Sequence, residues 1–273
     1  MLVNSLVFAL FVAFVLFIVR TWRSSPKSLP PGYNKMGSGE MFDGIAPFYD
    51  TANRFMSLGL DQSWRRQLVK LLNLQASDRV LDVSTGTGDV AILIAKKMQS
   101  LGKKDGQPIT GFDPSNNMLS FAASKLEQEK LTSMVKLIQG DAQHMKGIGS
   151  NSFDKITMSF GIRNVPDRKK ALKELYRVAR RKSTVIVMEF FAPLGVKDGI
   201  LSSFAEVFVK LIVPAVGTVI SGGHTKAYNH LSDSIFNFPS TDDFRSMMES
   251  SGFSQCRVES VFFNVVCACV CTK

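Results

Sequence analysis

Apolar positions along the chain switch repeatedly between two patterns. Short apolar runs at Val80–Val83, Ile109–Asp113, Val135–Gln139, Phe153–Phe160 and Thr184–Glu189 read as buried strands. Stretches of helical spacing separate them: one from Val90, one over Asn117–Glu129 and one over Arg168–Arg180. This βαβ alternation predicts an α/β fold with a doubly wound, mostly parallel sheet. Beyond it, Thr241–Ser250 is expected to be a helix with Thr241 as cap, Asp242 and Asp243 in the first turn and Gly252 as stop. Cys256–Val261 and Val265–Cys271 are expected to be two closing strands. In such a sheet ligands bind at the carboxyl ends of the strands. Asp82, Asp113, Asp141 and the segment from Ser159 all fall there.

The stretch Leu81–Val90 carries the sharpest chemistry: a strand, then Gly86 and Gly88, then a helix start. Gly86, Gly88 and Ala91 satisfy the dinucleotide spacing, so spacing alone leaves a dinucleotide open. Charge tilts the reading. A pyrophosphate would meet Asp89 in the first helical turn and Asp82 at the strand end, and both repel it. S-adenosyl-L-methionine carries an ammonium and a sulfonium and no phosphate, which suits two carboxylates. Asp89 is equally compatible with plain helix N-terminal charge. Asp113 can accept both ribose hydroxyls of such a cofactor. Asp141, with the Ala142 backbone, is set to reach the adenine amine.

The chain's start changes the picture. Leu2–Val19 is apolar apart from Asn4 and Ser5. As a helix at about 1.5 Å per residue it would span about 27 Å, close to a hydrocarbon core. Arg20, Arg23 and Lys27 follow. An uncleaved N-terminal transmembrane helix is expected, with its basic flank and the folded domain on the cytosolic or matrix side; a cleaved targeting segment is the alternative. Residues 23–40, with Pro30-Pro31-Gly32, read as a linker. The aromatic-rich stretch from Phe42 then leads into an amphipathic helix ending at Leu72, and could form a lid over the glycine turn or simply anchor the core. Phe191–Tyr228 interrupts the alternation, either covering an apolar substrate or membrane face or packing on the sheet. The net charge of +10 suits an anionic membrane surface. Without a basic stripe interleaved with aromatics, nucleic acid is the weaker reading. The four cysteines lack C-x-x-C spacing, so neither a zinc site nor a disulfide framework is expected; Cys267, Cys269 and Cys271 should share one face of a strand. Three scattered histidines suggest no metal.

From Phe42 to about Phe253 the chain resembles the quinone-biosynthesis C-methyltransferases, which methylate the ring of ubiquinone and menaquinone precursors. The resemblance rests on Tyr49-Asp50, Asn53, Ser57–Asp61 and Trp64-Arg65, on Leu81–Asp89, on Asp154–Val165, and on Tyr228, Leu231, Ser234-Ile235 and Phe238-Pro239. The glycine turn is shared by most class I methyltransferases; Phe160-Gly161-Ile162-Arg163-Asn164 together with the terminal signatures is far more specific. The departures are Arg180–Ser183 where the family has Lys-Pro-Gly-Gly, His230 for a tyrosine, and a terminal segment without the usual glycine and histidine.

The resemblance implies a class I, Rossmann-like methyltransferase domain over 41–273; the anchor over 1–22, expected from the apolar run, lies outside the family core. It implies S-adenosyl-L-methionine as cofactor and C-methylation of a polyprenyl benzoquinol in ubiquinone biosynthesis. Demethylmenaquinol, another lipid or phenol, and a silent scaffold of a quinone-biosynthesis complex are the alternatives. Carried over by position, Thr87, Asp113, Asp141, Ala142 and Ser159 would contact the cofactor beside Asp82, Gly86 and Gly88. Tyr49, Arg163 and Asn164 would face the quinol ring. The polyprenylated quinol is the implied partner; a membrane is expected from the anchor and its basic flank, with other quinone-biosynthesis enzymes and a homodimer left open. The implied place is the matrix side of the mitochondrial inner membrane in a eukaryote, or otherwise the cytoplasmic face of a membrane.

Overall fold

The computed structural model describes residues 39–191, 234 and 237–273, apart from Leu58, Lys104, Asp105 and Gln107. The expected anchor over 1–22, the linker as far as residue 38, the cover from residue 192 and the signature residues Tyr228, His230, Leu231 and Ile235 lie outside the described residues. Among the described residues no helix is long and apolar enough to cross a membrane.

The chain opens with helices α1 (Gly39–Met56) and α2 (Leu60–Leu71). There follow β1 (Val80–Val83), α3 (Asp89–Ser100), β2 (Ile109–Asp113), α4 (Asn116–Gln128), β3 (Val135–Gln139) and β4 (Phe153–Ser159). After a 3-10 turn, Ile162–Asn164, come α5 (Arg168–Val178), β5 (Ala179–Phe190), α6 (Thr241–Ser250), β6 (Ser254–Phe262) and β7 (Val266–Thr272). The described strands form one sheet in the order β3-β2-β1-β4-β5-β7-β6. β1 to β5 pair in parallel; β7 runs antiparallel to both β5 and β6. This is the expected doubly wound sheet, closed by a hairpin. Chain order reverses between β1 and β4, so a crevice opens at their carboxyl ends.

Alternation along the strands feeds two cores. On β5, Val185 and Val187 pack with Leu172, Leu175, Phe244 and Met248 of α5 and α6. Ile186 and Met188 pack with Leu68, Ile94 and Leu126 of α2, α3 and α4. β7 divides likewise: Cys267, Cys269 and Cys271 share the first face, Val266, Ala268 and Val270 the second. With both faces covered, β7 and, Asp82 apart, β1 read as near-continuous apolar runs.

Several expectations are corrected. Cys256 is joined to Cys271 by a disulfide, with Cα atoms 4.2 Å apart, while Cys267 and Cys269 are buried thiols. The pair faces across the β6–β7 hairpin, a proximity that cysteine spacing cannot register. The α6 cap is Ser240, whose hydroxyl accepts the Asp243 N–H at 3.2 Å; Thr241 is the first helical residue. α5 stops at Val178 because Ala179 pairs with Phe153 of β4. The pairing register then shifts before Lys155 meets Thr184, so Arg180–Ser183 lie within β5 at a sheet irregularity. Helix α1 begins at Gly39, two residues inside the expected linker.

Candidate active site

Each element that ends at the crevice delivers a polar group to it. The β1 end turns sharply: Ser84 takes φ 55°, Gly86 55° and Gly88 84°. The left-handed region suits the glycines and is costly for Ser84. A Cβ on Gly88 would stand 3.1 Å from the Ala122 Cβ of α4, so the loop sits tightly against that helix. Beneath the loop, Asp82 is buried and accepts from the hydroxyls of Thr85 and Thr157, both at 2.7 Å. Burial pushes its carboxyl up to about 6 against those two hydrogen bonds. It braces β1 to β4 and the loop.

Asp113 ends β2. Its Oδ2 accepts the Gly86 N–H at 2.8 Å and its Oδ1 the Ser115 N–H at 2.9 Å. Burial lifts this carboxyl to about 6, with those two donors pulling the other way. Asp141 follows β3 and accepts from the Gln143 backbone N–H at 2.8 Å and from the Gln143 side-chain amide. After β4, Phe160 takes φ 56° and the chain turns through Gly161 into the 3-10 turn. A Cβ on Gly161 would stand 2.5 Å from Ser84 Cβ and Oγ, so the turns after β1 and β4 touch.

These ends enclose a cavity of about 500 Å³. Of the residues singled out in the sequence, Tyr49, Gly86, Asp113, Asp141, Ala142, Ser159 and Asn164 border it. Asp82, Thr87, Gly88 and Arg163 do not. The Thr87 hydroxyl donates to Asp50 Oδ1 at 2.7 Å. Arg163 is buried and ion-paired to Glu189 of β5, with its guanidinium 5.7 Å from the Phe190 ring centre. Burial raises the Glu189 carboxyl; the Arg163 charge opposes it. Three buried polar atoms here lack a hydrogen-bond partner: Arg163 Nε, Arg168 Nε and Glu189 Oε2. Tyr49 enters from α1, and burial raises its phenol, while the charges of Arg65 and Arg163 and a bond with Asn53 lower it. Ser84, Gln143, Phe160 and Gly161 also border the cavity and were not singled out individually. The usable signal was their position within two residues of a strand end or of Asp141.

The fit to S-adenosyl-L-methionine can be judged from the donor set. Asp113 and Asp141 supply carboxylate acceptors, and the apolar side chains of Phe42, Met118, Phe160 and Val165 complete much of the wall. Each Asp113 oxygen keeps a second lone pair beyond its backbone bond. Among the described residues no group of His, Cys, Asp and Glu could hold a metal.

Sheet order, crevice and acidic strand ends define a class I, S-adenosyl-L-methionine-dependent methyltransferase. Residues 33–273 match the ubiE/COQ5 methyltransferase family, and the chain belongs to it. It is 40% identical over 214 residues to a ubiquinone/menaquinone biosynthesis C-methyltransferase UbiE of Geotalea daltonii, covering 78% of this chain and 86% of that protein. It is 37% identical over 235 residues to a demethylmenaquinone methyltransferase of Thermotoga maritima, covering 86% and 95%. In three dimensions it resembles a SAM-dependent methyltransferase from Aquifex aeolicus with a TM-score of 0.53 at 17% identity, over 76% of this chain and 88% of that one. The chain is a C-methyltransferase of quinone biosynthesis that uses S-adenosyl-L-methionine.

Proposed function

We propose that the methyl acceptor is a polyprenyl benzoquinol intermediate of ubiquinone biosynthesis. The observation carrying this reading is that Tyr49 and Asn164, from separate motifs, border the same cavity as Asp113 and Asp141. A ring held between the two pairs would lie beside the cofactor. S-adenosyl-L-methionine, when bound, supplies an electrophilic methyl group. A quinol carbon attacks it best when a neighbouring hydroxyl is a phenolate, because negative charge then reaches the ring. Tyr49 and Asn164 orient that hydroxyl, and the fixed charge of Arg163 behind them favours its oxyanion. A guanidinium is unsuited to general-base work, and a water relay would carry off the ring proton. The rest of catalysis is positioning.

Demethylmenaquinol is the second reading, favoured by the Thermotoga maritima relative. The membrane reading is supported by the apolar Leu2–Val19 stretch and its basic flank, which would keep the enzyme beside a bilayer-dissolved substrate. A mitochondrial matrix face in a eukaryote, or otherwise a cytoplasmic face, is the matching location. The deciding assay offers the full-length enzyme a demethylated polyprenyl benzoquinol and demethylmenaquinol separately, with labelled cofactor. Methyl transfer to the benzoquinol is expected; transfer to demethylmenaquinol alone would overturn the reading.

A further inference from the structure

We infer that Lys125, a residue of α4 outside every motif discussed above, is a positioning residue that latches helix α1 over the cofactor loop. Helix α1 supplies Gly39, Phe42 and Tyr49 to the cavity, so its placement sets one wall of the site. One ammonium gathers three elements. Lys125 Nζ lies 2.9 Å from Asp50 Oδ2 of α1 and 3.2 Å from Thr87 Oγ1 of the glycine loop, and it is ion-paired to Asp89 at the start of α3. Thr87 Oγ1 donates in turn to Asp50 Oδ1 at 2.7 Å. From the same helix as Asp50, Arg54 reaches Asp89 Oδ2 at 2.6 Å. The Lys125 side chain is 26% exposed, that of Asp89 15% and that of Asp50 35%, so solvent screens the Asp89 pair only in part and the Asp50 pair more.

The arrangement has a consequence for charge. Asp50 and Asp89 approach the same Nζ; without it Asp89 keeps Arg54 of α1 and Arg65 of α2, but the Asp50 ion pair is lost and its carboxylate is left beside that of Asp89. Like charges so placed repel, which favours lifting α1 away. Tyr49 precedes Asp50 in the helix, so the latch also fixes the phenol that borders the cavity. A second tether holds the far end. Asp43 accepts the Asn117 N–H at 3.0 Å, and the Asn117 amide donates to the Asp43 carbonyl at 3.1 Å. That carbonyl is the one Pro47 leaves without its helical donor. Helix α1 is therefore pinned near its start by α4 and in its middle by Lys125.

The test reads cofactor binding alone, so it stands whatever the quinol proves to be. The full-length chain and its K125M, K125R and D50N variants are titrated with S-adenosyl-L-methionine by calorimetry. Dissociation rates are taken by stopped flow, and thermal unfolding and circular dichroism serve as controls. K125M is expected to weaken binding about tenfold, chiefly through faster dissociation. K125R should restore most of it. D50N should speed dissociation as well, and K125M/D50N should lose no more than K125M. Folded K125M with wild-type dissociation, or losses that add independently, would overturn the proposal. Should K125M fail to fold, D50N decides alone: unchanged dissociation would also overturn it.

Discussion

At the scale of single residues, Asp113 shows how one carboxylate serves both fold and ligand. It accepts the N–H groups of Gly86 and Ser115, holding the loop after β1 against the start of α4, and still borders the cavity. A cofactor hydroxyl would be accepted by its ionised form. Burial sets that carboxyl near 6, so affinity should fall as pH drops through 6. Calorimetric titration between pH 5 and 8 should show this limb in the wild type and not in D113N, whose affinity should be lower by about tenfold or more. Arg163 makes the contrasting case. It does not border the cavity, so R163A should keep cofactor affinity within about threefold; its charge still favours an oxyanion at Tyr49 although Glu189 pairs with it, so turnover should fall about a hundredfold. Equal loss of both, in parallel binding and single-turnover measurements, would show that Arg163 serves the cofactor instead. The sequence marked Asp113 by its place at a strand end. It could not reveal that the Arg163 charge is met by Glu189, because that pair joins a turn to a strand 26 residues away.

Among elements, the turn after β4 depends on contact with the turn after β1. Ser84 and Phe160 both sit in the left-handed region, and Gly161 approaches Ser84 more closely than any side chain allows. G161A must push the two turns apart. A destabilisation of about 1–3 kcal/mol and weaker cofactor binding are expected, read by urea unfolding and titration. Wild-type stability would mean that the turns move independently. The strands, α3, α4 and α6 were legible from periodicity to within a few residues, because each buries a face against the sheet. The limits of α5 and β5 were less so: Ala179 has helical character in sequence and is claimed by pairing with Phe153. The lid reading of the stretch from Phe42 was one of two open alternatives. Its hold on the loop and on the helices beside it came only with the contacts of Asp50 to Thr87, Arg54 to Asp89 and Asp43 to Asn117.

For the molecule as a whole, buried carboxylates should shape stability against pH in two opposite ways. The Asp89 carboxyl is opposed by burial, but the charges of Arg65 and Lys125 and its bonds to Lys125 and Arg54 bring it down to about 2. Its contribution, about 2 kcal/mol, is present above pH 4 and is lost as pH falls toward 2. Asp82 and Asp113 stand near 6, above the ordinary carboxylate value, so their ionisation costs stability above that pH and the cost disappears as pH falls toward 4. Urea midpoints from pH 7 to 2 should therefore rise toward pH 4 and then fall. D89N should start lower and lose much of the acid decline; an unchanged decline would remove Asp89 from the account. By itself the sequence determined the parallel sheet, the cofactor end of it and the family motifs, because burial periodicity and glycine turns are local properties of a chain. Tertiary structure decided what distance along the chain conceals: the Cys256–Cys271 bond, the Arg163–Glu189 pair, and the meeting of Asp50, Thr87, Asp89 and Lys125. Each depends on which strands neighbour one another, and the sheet order that sets this follows from packing both faces at once.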